Sequence, residues 1–148
     1  MELNDKGKAF IHNEEGLVLA AYLCPANVWT IGFGNTYHLN NTPVKKGDKI
    51  TLEQAQDLFN KKIKLYENAV NKGVKISLSQ NQFNALTSFC YNIGIYGFLN
   101  STLLKKVNSI APDAEIETQF NLWKRGGGKV LPVLVARRKR EFKLYTTK

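Results

Sequence analysis

Three side chains within one short stretch have the types and spacing to do chemistry: Glu15, Cys24 and Thr30. Glu15 stands immediately before Gly16, where a helical pattern ends. A carboxyl group at such a helix end can act as a general acid if apolar walls keep it protonated at working pH. The plainer alternative is a solvated carboxylate, and Glu14 is a rival for the role. Cys24 lies in a turn before Pro25. A thiolate there can serve as base or nucleophile, or can help position a water, whereas a lone cysteine is more commonly a small buried hydrophobe. Thr30 is either an ordinary strand threonine or a hydroxyl that holds an attacking water. Gly32 and Gly34 bracket Phe33 and allow the backbone to bend or to approach a ligand closely.

These groups need elements to position them. A short helix is expected over residues 3–13, capped by Asn4 or Asp5, with Leu3, Phe10 and Ile11 on a partial apolar face. Leu17–Tyr22 reads as a strand, Cys24–Asn27 as a turn and Val28–Ile31 as a second strand. A third short strand would end near Leu39, followed by a surface loop over 42–48. Thr51 and Gln54 form a capping box opening a long helix to about Asn71, with Leu52, Ala55, Leu58, Phe59, Ile63, Tyr66 and Val70 at spacings of three and four. Ser79 and Gln82 open a second, very apolar helix that Gly94 ends. A short helix follows at about 101–109, and Pro112 fits the first turn of another reaching Trp123. Arg125–Lys129 is a glycine-rich break. Pro132 opens the last helix, with Leu134, Val135, Phe142 and Leu144 inward and Arg137–Arg140 outward, where one arginine could instead pair with Glu14.

Composition narrows the classes. A 148-residue chain with 43% hydrophobic residues can build a core, as one domain or two lobes. It contains no apolar run of membrane-spanning length. The polar start, Met1–Lys6, carries no signal-peptide pattern, so synthesis in the cytoplasm is expected. The net charge of +9 is uneven: residues 1–60 carry −2 and residues 61–148 carry +11. A basic half calls for an anionic partner. Two cysteines and two histidines, His12 and His38, without metal spacing predict no metal.

The joint spacing of acid, thiol and hydroxyl resembles the active-site segment of bacteriophage-type lysozymes, glycoside hydrolase family 24. The likeness continues through Cys24-Pro-Ala-Asn-Val-Trp-Thr-Ile-Gly-Phe-Gly-Asn-Thr36, Ser79–Phe89, Phe98–Leu104 and Gly127–Arg138, in order along essentially the whole chain. The resemblance implies an α+β, lysozyme-like two-lobe fold. A small antiparallel sheet lobe (about 14–50) and a helical lobe (about 73–148, with helix 3–13 packed on it) would be joined by the helix at 51–72, with the substrate cleft between. It implies a muramidase cleaving the β-1,4 bond between N-acetylmuramic acid and N-acetylglucosamine in peptidoglycan, with no cofactor. By motif position Glu15 would be the general acid, Cys24 the second catalytic group and Thr30 the group orienting water. Gly32, Gly34, Tyr91 and Asn92 would line the substrate site, although Tyr91, like Trp123, also reads as core. Two departures stand out. Asn35 replaces the family's histidine after Gly-Phe-Gly, from which a stability effect is expected. Cys24 replaces a second carboxylate, so the rule relating carboxylate separation to stereochemistry does not apply.

Bacterial peptidoglycan and an anionic cell envelope are the partners this reading expects. It expects a monomer without a transmembrane segment or a specific nucleic acid partner, held in the host cytoplasm until a separate protein opens the membrane. Two other readings compete. One is a non-enzymatic cationic binder acting through the basic C-terminal helix. The other is a transglycosylase using the glutamate without the thiol and hydroxyl.

Overall fold

A computed structural model describes residues 1–148. The chain is α+β, with seven helices, α1 Asp5–Glu15, α2 Leu52–Gly73, α3 Gln80–Ile93, α4 Ile95–Leu99, α5 Thr102–Asn108, α6 Asp113–Asn121 and α7 Pro132–Thr146. Two small antiparallel sheets complete it: β1 Val18–Leu23 with β2 Trp29–Gly32, and β3 Arg125–Gly126 with β4 Lys129–Val130. It divides into two compact units, one of residues 9–65 and the other of residues 1–8 with 66–148.

In the 9–65 unit, β1 and β2 pair Val18 with Gly32, Tyr22 with Thr30 and Leu23 with Trp29, with an irregularity between the first two pairs. The third strand expected near Leu39 does not form. That segment makes only isolated bridges, Tyr37 with Pro43 and Ile31 with Asn35. Its polar run of asparagines and Pro43 supplies turns instead of a ladder. Backbone bonds from Ala21 to Asp48 O (2.8 Å) and from Ile50 to Leu19 O (2.9 Å) tie the end of the loop to β1. Ile31, Val44 and Leu58 form a small core, joined by Ala21, Trp29 and Ile50. Beside it His12 stacks on Phe33 with centroids 4.0 Å apart, and Phe59 meets both edge-on.

In the other unit α3 is the centre. Ser79 accepts from the Gln82 amide while Gln82 reaches back, so the capping box forms as read. Nine consecutive residues of α3, Phe83–Tyr91, are buried. Asn4 rather than Asp5 caps α1, through Gly7 N at 2.9 Å. Leu3 lies just before that helix, with its amide on the buried Glu67 carboxylate at 2.6 Å. Pro112 stands at the N-cap of α6 rather than inside the first turn, and that helix ends at Asn121, short of Trp123.

Two features correct the sequence reading. The glycine-rich break is a hairpin: Gly127 and Gly128 both take positive φ (58° and 79°), which a two-residue reversal between paired strands needs. In α7, Arg137 and Arg138 do not point outward; both are buried. Glu141, one turn further along the same helix, lies 3.2 Å from each guanidinium, and burial of the cations is tolerated because that acid is buried with them. No helix is long and apolar enough to cross a membrane.

Candidate functional site

Glu15 is the last residue of α1, and Gly16 closes the helix in the left-handed conformation (φ 71°), its amide bonded to His12 O at 2.9 Å. This turn sets the direction in which the carboxylate leaves the helix. The group lies over the backbone of Gly34: a side chain built at that glycine would stand 3.5 Å from Glu15 Oε2. Gly34 itself has φ 83° and sits in a turn closed by reciprocal backbone bonds between Ile31 and Asn35, both 2.8 Å. A β-carbon here would be strained by the backbone conformation, although it would only just touch the carboxylate.

Cys24 and Thr30 are brought together by the β1–β2 hairpin. Cys24 N bonds Val28 O at 3.0 Å and Asn27 N bonds Cys24 O at 2.8 Å, so the thiol stands at the mouth of a tight reversal, with Asn27 at φ 61°. Thr30, buried on β2, donates its hydroxyl to Val28 O at 2.9 Å and also lies within hydrogen-bonding reach of the Cys24 sulfur. The thiol is held below its ordinary pKa. The Val28 backbone contributes most; burial is next and opposes it, and Ala26 and the Thr30 hydroxyl add smaller lowering effects. Cys90 is the opposite case, since burial in α3 pushes its thiol up to about 12. The two should therefore separate by reactivity. Iodoacetamide at pH 8 is expected to alkylate Cys24 and leave Cys90 unmodified in the folded protein, because the thiolate is the nucleophile. Mass spectrometry of tryptic peptides reads this directly, and equal labelling of the two would contradict it.

The remaining sequence candidates fall differently. Gly32 is buried with φ 68°, and a β-carbon there would come within 3.3 Å of Asn35 Oδ1, so it serves the backbone turn. Tyr91 is buried, with its ring 4.9 Å from that of Tyr66, which leaves little of it for a ligand. Asn92 is exposed at the end of α3, and its Oδ1 accepts a hydrogen bond from Arg138 Nη2. With the oxygen engaged, the amide NH2 is the part left to donate. Asn35, where the family pattern has histidine, is buried, and its Oδ1 has no hydrogen-bond partner.

Sequence reasoning missed Lys62. Its Nζ donates to Gly34 O at 3.1 Å, and it feels the charge of Glu15. Burial lowers its pKa, while Glu15 draws it back up. The signal was present: Lys62 follows Leu58 by four and Phe59 by three, so a cation sits on the inward stripe of α2. No cluster of three or more histidine, cysteine or acidic side chains is placed to hold a metal.

The phage lysozyme family model matches residues 12–141. The chain belongs to the phage lysozyme family. An endolysin of Acyrthosiphon pisum secondary endosymbiont phage 1 is 38% identical over 98% of both chains. Among solved structures, the endolysin from Escherichia coli O157:H7 phage FAHEc1 superposes with a TM-score of 0.91 at 36% identity, over 99% of this chain and 94% of that one. The muramidase domain of SpmX from Asticaccaulis excentricus gives 0.87 at 33% identity over 99% of both. Its family membership thus rests on nearly the whole chain, and the phage lysozyme fold is the scaffold on which Glu15, Cys24 and Thr30 stand.

Proposed function

We propose that this protein is a peptidoglycan-lysing muramidase that hydrolyses the β-1,4 bond between N-acetylmuramic acid and N-acetylglucosamine, with Glu15, Cys24 and Thr30 as its catalytic groups. Family membership supports the activity class. The observation that carries the residue roles is the pairing of Thr30 with the lowered-pKa thiol of Cys24, on the hairpin that leads into the turn beneath the Glu15 carboxylate.

In this reading Glu15 gives its proton to the leaving glycosidic oxygen. A water attacks the anomeric carbon. The Thr30 hydroxyl hydrogen is engaged by Val28 O or by the thiolate, so its oxygen is free to accept from that water. The Cys24 thiolate accepts the proton the water releases. Burial of Thr30 fixes its rotamer, which serves positioning. With one carboxylate and a held water, inversion at the anomeric carbon is the outcome this arrangement favours. Lys62 holds Gly34 O and places positive charge near Glu15, so it acts as a positioning residue. The enzyme would be made in the host cytoplasm and reach the wall once a separate protein opens the membrane; it would act as a monomer.

The test is the identity of the new ends. Purified peptidoglycan digested by the wild type should release fragments ending in reducing muramic acid, read by mass after borohydride reduction. Anhydromuramic ends would establish a transglycosylase. New reducing N-acetylglucosamine ends would move the cut to the other linkage. Turbidity clearing with no new ends would leave the cationic-binder reading.

A further inference from the structure

The β3–β4 hairpin has no part in the chemistry above, yet its composition is unlike that of an ordinary surface turn. Register pairs Arg125 with Val130 and Gly126 with Lys129. Residues directly opposite project to the same side of a hairpin, so Arg125 and Val130 share one face. The other face is covered at Gly126, where Leu131 reaches across with its Cδ1 2.6 Å from where a β-carbon would be, while Lys129, next to the tip, stays exposed. The Arg125–Val130 face therefore points away from the protein. The tip also stands clear, since β-carbons added at Gly127 and Gly128 would meet nothing within 4 Å.

Apolar groups are exposed on the hairpin and at its two bases. Val130 is 45% exposed, Leu122 60% and Val133 71%. Trp123, at the first base, is anchored edge-on to Phe89 and against Gly97 but still shows 36% of its surface. Cations are interleaved with them at Lys124, Arg125 and Lys129, and no acidic residue occurs between Glu117 and Glu141. Cations alone would fit any polyanion. Clustered aliphatic groups beside an anchored indole fit a partner that also has an apolar interior, and tryptophan with flanking lysine and arginine is the composition that settles at a lipid headgroup boundary.

We infer that the hairpin Leu122–Val133 docks on the surface of an anionic phospholipid bilayer. Arg125 and Lys129 meet the headgroup phosphates, while Val130, Val133 and the indole of Trp123 enter the boundary with the acyl chains. The contact is independent of wall cleavage.

Sedimentation of the full chain with phosphatidylglycerol vesicles and with phosphatidylcholine vesicles tests it. Binding is expected to the first and at least tenfold weaker to the second. Arg125→Glu with Lys129→Glu should lower binding roughly tenfold or more, since each interfacial cation contributes appreciably. Val130→Ser with Val133→Ser keeps every charge and should still lower vesicle binding about fivefold or more. That serine pair should bind dextran sulfate, a polyanion without acyl chains, as the wild type does. Equal binding to both lipids, no effect of the charge reversal, or wild-type vesicle binding by the serine pair would each overturn the inference; the last would make the hairpin a site for soluble polyanions. Glu15→Gln should bind vesicles like the wild type, so loss of the muramidase reading would leave this result standing.

Discussion

Replacing Glu15 with Gln is expected to leave a folded protein that no longer clears peptidoglycan. The amide keeps the shape of the side chain over Gly34 but has no proton to give to a leaving oxygen. General acid catalysis contributes roughly 10²–10⁴-fold, so turbidity clearance should fall by at least about a hundredfold, with the loss in kcat. A second readout follows from Lys62. Burial lowers its pKa and Glu15 opposes that effect. A lysine whose folded pKa lies below its unfolded one binds more proton when unfolded, so its contribution to stability rises with pH across the window between the two values. Without Glu15 the folded value drops further and the window widens downward. The variant should therefore gain more stability than the wild type as pH is raised through the lysine range, in denaturant melts at matched ionic strength. Clearing that survives in the variant would remove Glu15 from the mechanism. A pH–stability profile identical to wild type would remove the Glu15–Lys62 coupling.

Glu141→Gln should damage the fold rather than the chemistry. Glu141 is fully buried; its Oε2 accepts from Ser88 Oγ at 2.6 Å and from Arg137 Nε at 3.2 Å, and its Oε1 lies 3.2 Å from Arg138 Nε. Burial pushes its carboxyl up, against the pull of Arg138, Arg137 and the Ser88 hydroxyl. Two buried guanidiniums depend on this acid, one of them also resting over the Phe89 ring at 5.1 Å. Breaking a buried ion pair from one side costs about 3–5 kcal/mol, because the surviving charge stays buried. A chain of this size loses roughly 2–4 °C in Tm per kcal/mol. Thermal melts followed by circular dichroism should thus show a drop of roughly 6 °C or more. Ser88→Ala removes one hydrogen-bond partner of the same carboxylate and should cost about 1 kcal/mol. A smaller drop for Glu141→Gln than for Ser88→Ala would refute the network's importance.

The elements that sequence reads well are those whose signals are local. The capping boxes at Thr51 and Ser79 and the apolar stripes behind them fix α2 and α3 to within a residue or two. The placement of Cys24 and Thr30 together was legible for the same reason, since the short turn between them closes one hairpin. What stayed hidden depends on partners distant in sequence. Arg137 and Arg138 read as a solvated face because nothing nearby announces that another helix would take them inside, Ser88 meeting Arg137 and Asn92 and Phe89 meeting Arg138. Lys62 drew no reading at all because its acceptor, Gly34 O, is 28 positions away. The run after Asn35 read as a strand because β propensity cannot see that neighbouring backbone will pair with it only at single bridges.

Glu15, Cys24, Thr30 and Gly34 all come from the stretch 15–34, and the bonds that arrange them, Gly16 to His12, Cys24 to Val28 and Ile31 to Asn35, each span no more than a few residues. Contacts so close along the chain cost little loop-closure entropy. The candidate residues are therefore arranged mainly by local chain geometry, and Lys62 adds a contact to Gly34 from 28 positions away.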